Sequence, residues 1–76
     1  MDQKIGATEA HLELQKELVR IFNGGLTNAV SGYGAGLDRE IGHEVLKVRF
    51  RSQEIKDNAY QKLPLIVGGW PVKSYA

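Results

Sequence analysis

Five of the nine glycines fall within one short stretch, Gly24 to Gly36. No stable long helix carries that density, because each interior glycine costs about 1 kcal/mol relative to alanine. The stretch therefore divides the chain into a segment before it and a segment after it. By itself it reads as a loop containing one short element of undetermined type, Leu26 to Val30. Beyond it, Asp38 is placed to cap a brief helical turn through Arg39, Glu40 and Ile41, with Gly42 ending it.

The segment before the glycines predicts a helix from Thr8 to Asn23. Thr8 is the expected N-cap, and Glu9 follows in the first turn, where negative charge suits the helix dipole. Ala10, Leu14, Leu18, Ile21 and Phe22 keep helical spacing and form one apolar stripe. Glu13 with Lys16 and Glu17 with Arg20 attract at i, i+3, while Glu13 with Glu17 and Lys16 with Arg20 repel at i, i+4. Gly24-Gly25 ends the helix through a left-handed residue. Leu12 and Val19 lie off the stripe, one nearly behind the other. They widen the apolar surface toward a second contact.

The segment after the glycines predicts a strand from Glu44 to Arg51. Leu46, Val48 and Phe50 alternate there with Lys47, Arg49 and Arg51. Ser52 is the expected N-cap of a second amphipathic helix near Gln53 to Lys62, carried by Ile55, Ala59 and Leu63 and stopped by Pro64. Leu65-Ile66-Val67, Gly68-Gly69 and Trp70 to Tyr75 read as a hairpin with a primed two-residue turn. Pro71 cannot donate to a ladder, which places the return strand at a sheet edge. The expected fold is α+β in the order α-loop-β-α-β-β, with two amphipathic helices packed on a small antiparallel sheet. Residues 1–76 form one small domain, and residues 1–7 are expected to be a flexible tail.

Size and composition limit the chemistry. The chain has 76 residues and no cysteine. Disulfides, thiolate metal sites and thiol nucleophiles are therefore excluded. Two histidines without cysteine make a zinc site a poor fit. A domain this short buries only about 60% of its unfolded surface and commonly needs a staple or a partner. Self-association is the expected compensation. The N-terminus shows no apolar signal region, and the longest apolar stretch, Leu63 to Val72, is broken by prolines and glycines. The reading is a cytoplasmic protein without a membrane span, and no cofactor is implied.

The net charge of +1 hides a split. Residues 1–38 carry three cations and five acids, a balance of −2, and residues 39–76 carry seven and four, a balance of +3. Lys47, Arg49 and Arg51 share one strand face at a spacing of about 6.8 Å. Such a row suits phosphates or an acidic partner, and it is more commonly a solvated strand face or a set of positive gatekeepers that block edge-to-edge aggregation. The run Ser31 to Leu37 lacks the last glycine of the dinucleotide pattern and the lysine of the P-loop. Glu40 and His43 at i, i+3 supply one half of a carboxylate-bridged metal site and no second half. No nucleophile elbow or Ser-x-x-Lys spacing occurs.

Three functions follow in order. The first is a small non-enzymatic interaction module, a homo-oligomer binding another macromolecule, with Leu12, Val19 and Trp70 at the oligomer interface. The second is nucleic-acid binding through Lys47, Arg49 and Arg51. The third is an enzyme or ligand-binding protein with a site shared across a dimer interface, using His11 or His43.

Overall fold

The computed structural model describes residues 4–76. The chain is α+β, with three helices on a four-stranded mixed sheet. Helix α1 spans Ala7–Phe22, α2 Leu26–Ala29 and α3 Gln53–Tyr60. The strands are β1 Val30–Asp38, β2 His43–Phe50, β3 Ile66–Val67 and β4 Trp70–Tyr75. Their order in the sheet is β1-β2-β4-β3. No helix among the described residues is long and apolar enough to cross a membrane.

Helix α1 forms where its spacing predicts, with Ala10, Leu14 and Leu18 buried. Its N-cap is Gly6 rather than Thr8, and no side chain caps it. At the other end, Asn23 has φ +25° and Gly24 φ +90°, so the left-handed exit falls where the glycine pair begins. Lys16 meets Glu13 at 3.3 Å and Arg20 meets Glu17 at 2.7 Å. Ser52 caps α3 by accepting from the Ile55 amide at 3.2 Å.

The glycine stretch is not a loop. Leu26 to Ala29 makes one helical turn, and Val30 to Asp38 is a nine-residue strand paired antiparallel with β2. Glycine has no side chain to mark a period of two, so the strand is silent to hydrophobic patterning. A register shift between Val30 and Gly32 bulges its first end. Arg39 to Gly42 form a turn between β1 and β2 rather than a helical piece. Asp38 does cap it, since its Oδ1 accepts from the Glu40 amide at 2.8 Å.

The sheet is mixed because α3 carries the chain back across it. A parallel neighbour needs a crossover of a dozen or more residues, and Arg51 to Gly69 supplies one. Strand β4 consequently runs parallel to β2, with Leu46 opposite Val72 and Arg49 opposite Tyr75. It also pairs antiparallel with β3, through Gly68 at φ +59° and Gly69 at φ +83°. The primed turn is as the sequence predicts, but β4 is an interior strand, not an edge. Pro71 is tolerated because the ladder to β2 begins one residue later, at Val72.

The core lies between the helices and one face of the sheet. Leu14, Leu18, Leu46, Val48 and Phe50 are fully buried there. Trp70 is also core, 3% exposed, and its indole N–H donates to the Ile5 carbonyl at 2.7 Å. The Lys4 ammonium sits 3.8 Å from the ring centroid. The Ile5 amide donates to Gly68 at 3.0 Å. Lys4 and Ile5 are therefore in contact with the hairpin, while residues 1–3 lie outside the described part. A Cβ on Gly68 would come within 2.5 Å of Ile5, so both this packing and the positive φ call for glycine.

Candidate nucleic-acid interface

Pairing and alternation decide which side chains leave the core. On β2, Leu46, Val48 and Phe50 face the helices, so Val45, Lys47 and Arg49 face the other way. The antiparallel register sets Gly32 opposite Arg49, Gly34 opposite Lys47 and Gly36 opposite Val45. The parallel register sets Tyr75 opposite Arg49 and Lys73 opposite Lys47. One face of the sheet thus carries a glycine strand, a cationic strand and a strand ending in tyrosine.

Missing side chains make a groove on this face. It has a volume of about 470 Å³, with Gly32 and Gly34 in its floor and Lys47, Arg49 and Tyr75 around it. A Cβ on either Gly32 or Gly34 would meet nothing within 4 Å. The Lys47 side chain leans over Gly36, with its Cε 3.5 Å from where a Cβ would be. The Arg49 guanidinium lies 5.6 Å from the Tyr75 ring centroid and donates to the Ala76 carbonyl at 3.3 Å. A cation and a phenol ring therefore share one wall.

The three expected cations do not stay together. Lys47 and Arg49 line the groove, but Arg51 lies past the end of β2, where its Nε donates to the Thr27 carbonyl at 2.8 Å. That contact ties α2 to the end of the strand. Alternation fails for Arg51 because the strand stops at Phe50 and the chain turns into α3.

Beside the groove lies an ion cluster that sequence patterning missed. Lys73 on β4 reaches across β2 to Asp38 on β1, at 2.7 Å, and to Glu40 at 2.6 Å. Lys73 starts opposite Lys47 and ends at Asp38, which lies opposite His43, so its side chain spans the level of Val45, which is fully buried on the helix-free face. Asp38 is 3% exposed. The Lys73 ammonium holds its carboxyl below the ordinary carboxylate range, burial opposes that, and the Glu40 and Ile41 amides add to it. The paired carboxylates push the Lys73 ammonium up. A carboxyl whose folded pKa is lowered stabilises the fold above its unfolded value of about 3.9 and loses that contribution as pH falls through the folded value. Asp38→Asn is therefore expected to be less stable at neutral pH, with a flatter stability profile below about pH 4. Thermal melts from neutral to acid pH measure this, and identical acid limbs for both proteins would contradict it.

The remaining candidates are placed as follows. Glu40 is engaged by Lys73, and His43 Nδ1 lies 3.3 Å from the Glu44 carbonyl. Among the described residues, no group of three or more His, Asp or Glu side chains is arranged to hold a metal ion. His11 packs against Tyr33 with the rings tilted and their centroids 5.0 Å apart. Leu12 and Val19 are 49% and 45% exposed, whereas Trp70 is enclosed in the core, so of the three positions expected to meet a second chain only the two helix residues are at the surface.

Gly32 and Gly34 belong to the groove, although their run matches no phosphate-binding pattern. The signal present is joint: glycines at every second position from 32 to 36, with Tyr33 and Ala35 between them and Leu37 after. No family model matches this chain, and no curated protein or solved structure matches it.

Proposed function

We propose that this chain is a small binding module whose helix-free sheet face takes single-stranded nucleic acid. One observation carries the reading: the floor of that face is glycine backbone, and its walls are Lys47, Arg49 and Tyr75. Lysine and arginine attract phosphates, and arginine also stacks on bases. A tyrosine ring supplies a stacking surface worth about 1–3 kcal/mol per base. A side-chain-free floor lets a planar base approach the backbone. The groove is open rather than enclosed, which suits a passing strand better than a small molecule that must be surrounded.

Two cations imply modest, salt-sensitive affinity. Neutralising two phosphates of a single strand gives a slope of log affinity against log salt of about −1.4. A fluorescently labelled single-stranded oligonucleotide, titrated at two low salt concentrations, is expected to bind with that dependence. The double variant Lys47→Ala, Arg49→Ala is expected to lose both the affinity and the salt response. Arg51→Ala is expected to change binding little, because its side chain is held at Thr27 and does not line the groove. No binding at low salt, or binding indifferent to the double variant, would overturn the reading.

A further inference from the structure

Strand β1 ends the sheet, and among the described residues no strand lies beyond it. At about 3.4 Å per residue its nine residues span about 30 Å. That matches the longest extent of the molecule, 31 Å. A free edge of this length presents a row of N–H and C=O groups without strand partners, which proteins ordinarily guard with charge, proline or a covering element. From Val30 to Leu37 the strand's own residues supply no charge and no proline, and the Lys47 side chain of β2 leans over Gly36 on the helix-free face. The only interruption of the edge is the bulge near Ser31. The one charged residue, Asp38, is turned inward to Lys73.

Helix α1 leans over the same edge. The Tyr33 hydroxyl donates to Gln15 Oε1 at 2.9 Å, and the Tyr33 ring meets His11. At about 100° per residue, Thr8, Leu12 and Val19 follow His11 and Gln15 around the helix on that side. This flank has no formal charge. Glu9, Glu13, Lys16, Glu17 and Arg20 collect on the other side, where Arg20 reaches the Lys62 carbonyl. Leu12, Val19 and Leu37 are exposed large apolar side chains. An uncharged strand edge and an uncharged apolar helix flank therefore face the same way.

We infer that this edge pairs with the same edge of a second copy, β1 against β1 in antiparallel sense, with the two α1 helices packing across the two-fold axis. The occupant must bring an unpaired strand and an uncharged apolar helix flank at matching heights. A second copy supplies both by symmetry, since a two-fold contact repeats one patch on each partner. The product is one continuous eight-stranded sheet with all helices on one side. The two glycine grooves then lie on one common face, and four groove cations replace two. The pairing stands whether or not that face binds nucleic acid.

Size-exclusion with light scattering, run over a concentration series without nucleic acid, tests it. The parent is expected at twice the 8.4 kDa chain mass at tens of micromolar. Leu12→Lys and Val19→Lys are each expected to weaken the dimer about tenfold or more, since each puts a charge in the apolar contact. Glu13→Lys, on the charged flank, is expected to leave it unchanged. Mixing Val19→Lys with Val19→Glu is expected to restore a heterodimer. Amide exchange on the parent reads the strand directly: alternate β1 amides should gain protection as concentration rises. A monomer throughout, a dimer untouched by both helix variants, or a dimer whose β1 amides exchange as fast as the monomer's would overturn the inference.

Discussion

Trp70→Ala is expected to cost about 3–5 kcal/mol, the ordinary range for deleting a buried aromatic. A chain of this length holds roughly 4–11 kcal/mol in total, at about 0.05–0.15 per residue. The variant should therefore melt about 15 °C or more below the parent, and part of it should be unfolded at physiological temperature. Trp70 starts β4 just after the Gly68-Gly69 turn, fills the core, and through its indole N–H ties Ile5 to the hairpin. Removing it opens a cavity and frees the segment leading into α1 together. Trp70→Phe separates the two effects. It keeps most of the ring volume but leaves the Ile5 carbonyl without its donor, a loss of about 1 kcal/mol. Thermal melts should rank the parent above Trp70→Phe, and Trp70→Ala well below both. An alanine variant melting within about 5 °C of the parent would mean that the indole is not a core element.

Gly34→Val is expected to separate stability from binding. Gly34 lies in an interior position of β1, where glycine gives up roughly 0.5–1 kcal/mol relative to a residue with a side chain. Its φ is not positive, and a Cβ there would meet nothing within 4 Å. Valine should therefore be accommodated and should raise the melting temperature slightly. The same side chain would fill the floor of the groove between Lys47 and the tyrosine wall. If one stacked base is lost, single-strand affinity should fall about fivefold to 150-fold, the equivalent of about 1–3 kcal/mol. A titration paired with a melt measures both. Unchanged affinity in a folded Gly34→Val protein would show that the glycine floor is not where the strand lies.

Local elements were legible because each is set by neighbours in the chain. The stripe of Leu14 and Leu18 marks α1, the Ser52 hydroxyl marks the start of α3, and the glycine pair marks the final turn. The alternation of Leu46, Val48 and Phe50 with Lys47 and Arg49 marks β2 and names two of the residues in the groove. Alternation groups Arg51 with them because it cannot tell where a strand stops. The residues of β1 resemble a loop in sequence because Gly32, Gly34 and Gly36 are helix breakers that leave no hydrophobic period. Only the ladder to β2 holds that backbone extended.

The amino-acid sequence alone therefore determined the α+β class, α1, β2, α3 and the closing hairpin, the cations at 47 and 49, and the absence of thiol chemistry. These depend on spacing, capping and turn conformation, which act over a few residues. The tertiary structure alone decided that the glycine run is an edge strand, that β4 lies inside the sheet and parallel to β2, and that Tyr75 stands beside Arg49. It also decided that Lys73 crosses β2 to Asp38. Each of these is a pairing between residues far apart in the chain. Such pairings are settled by which faces must be buried together, and the face left uncovered is what remains when that burial is complete.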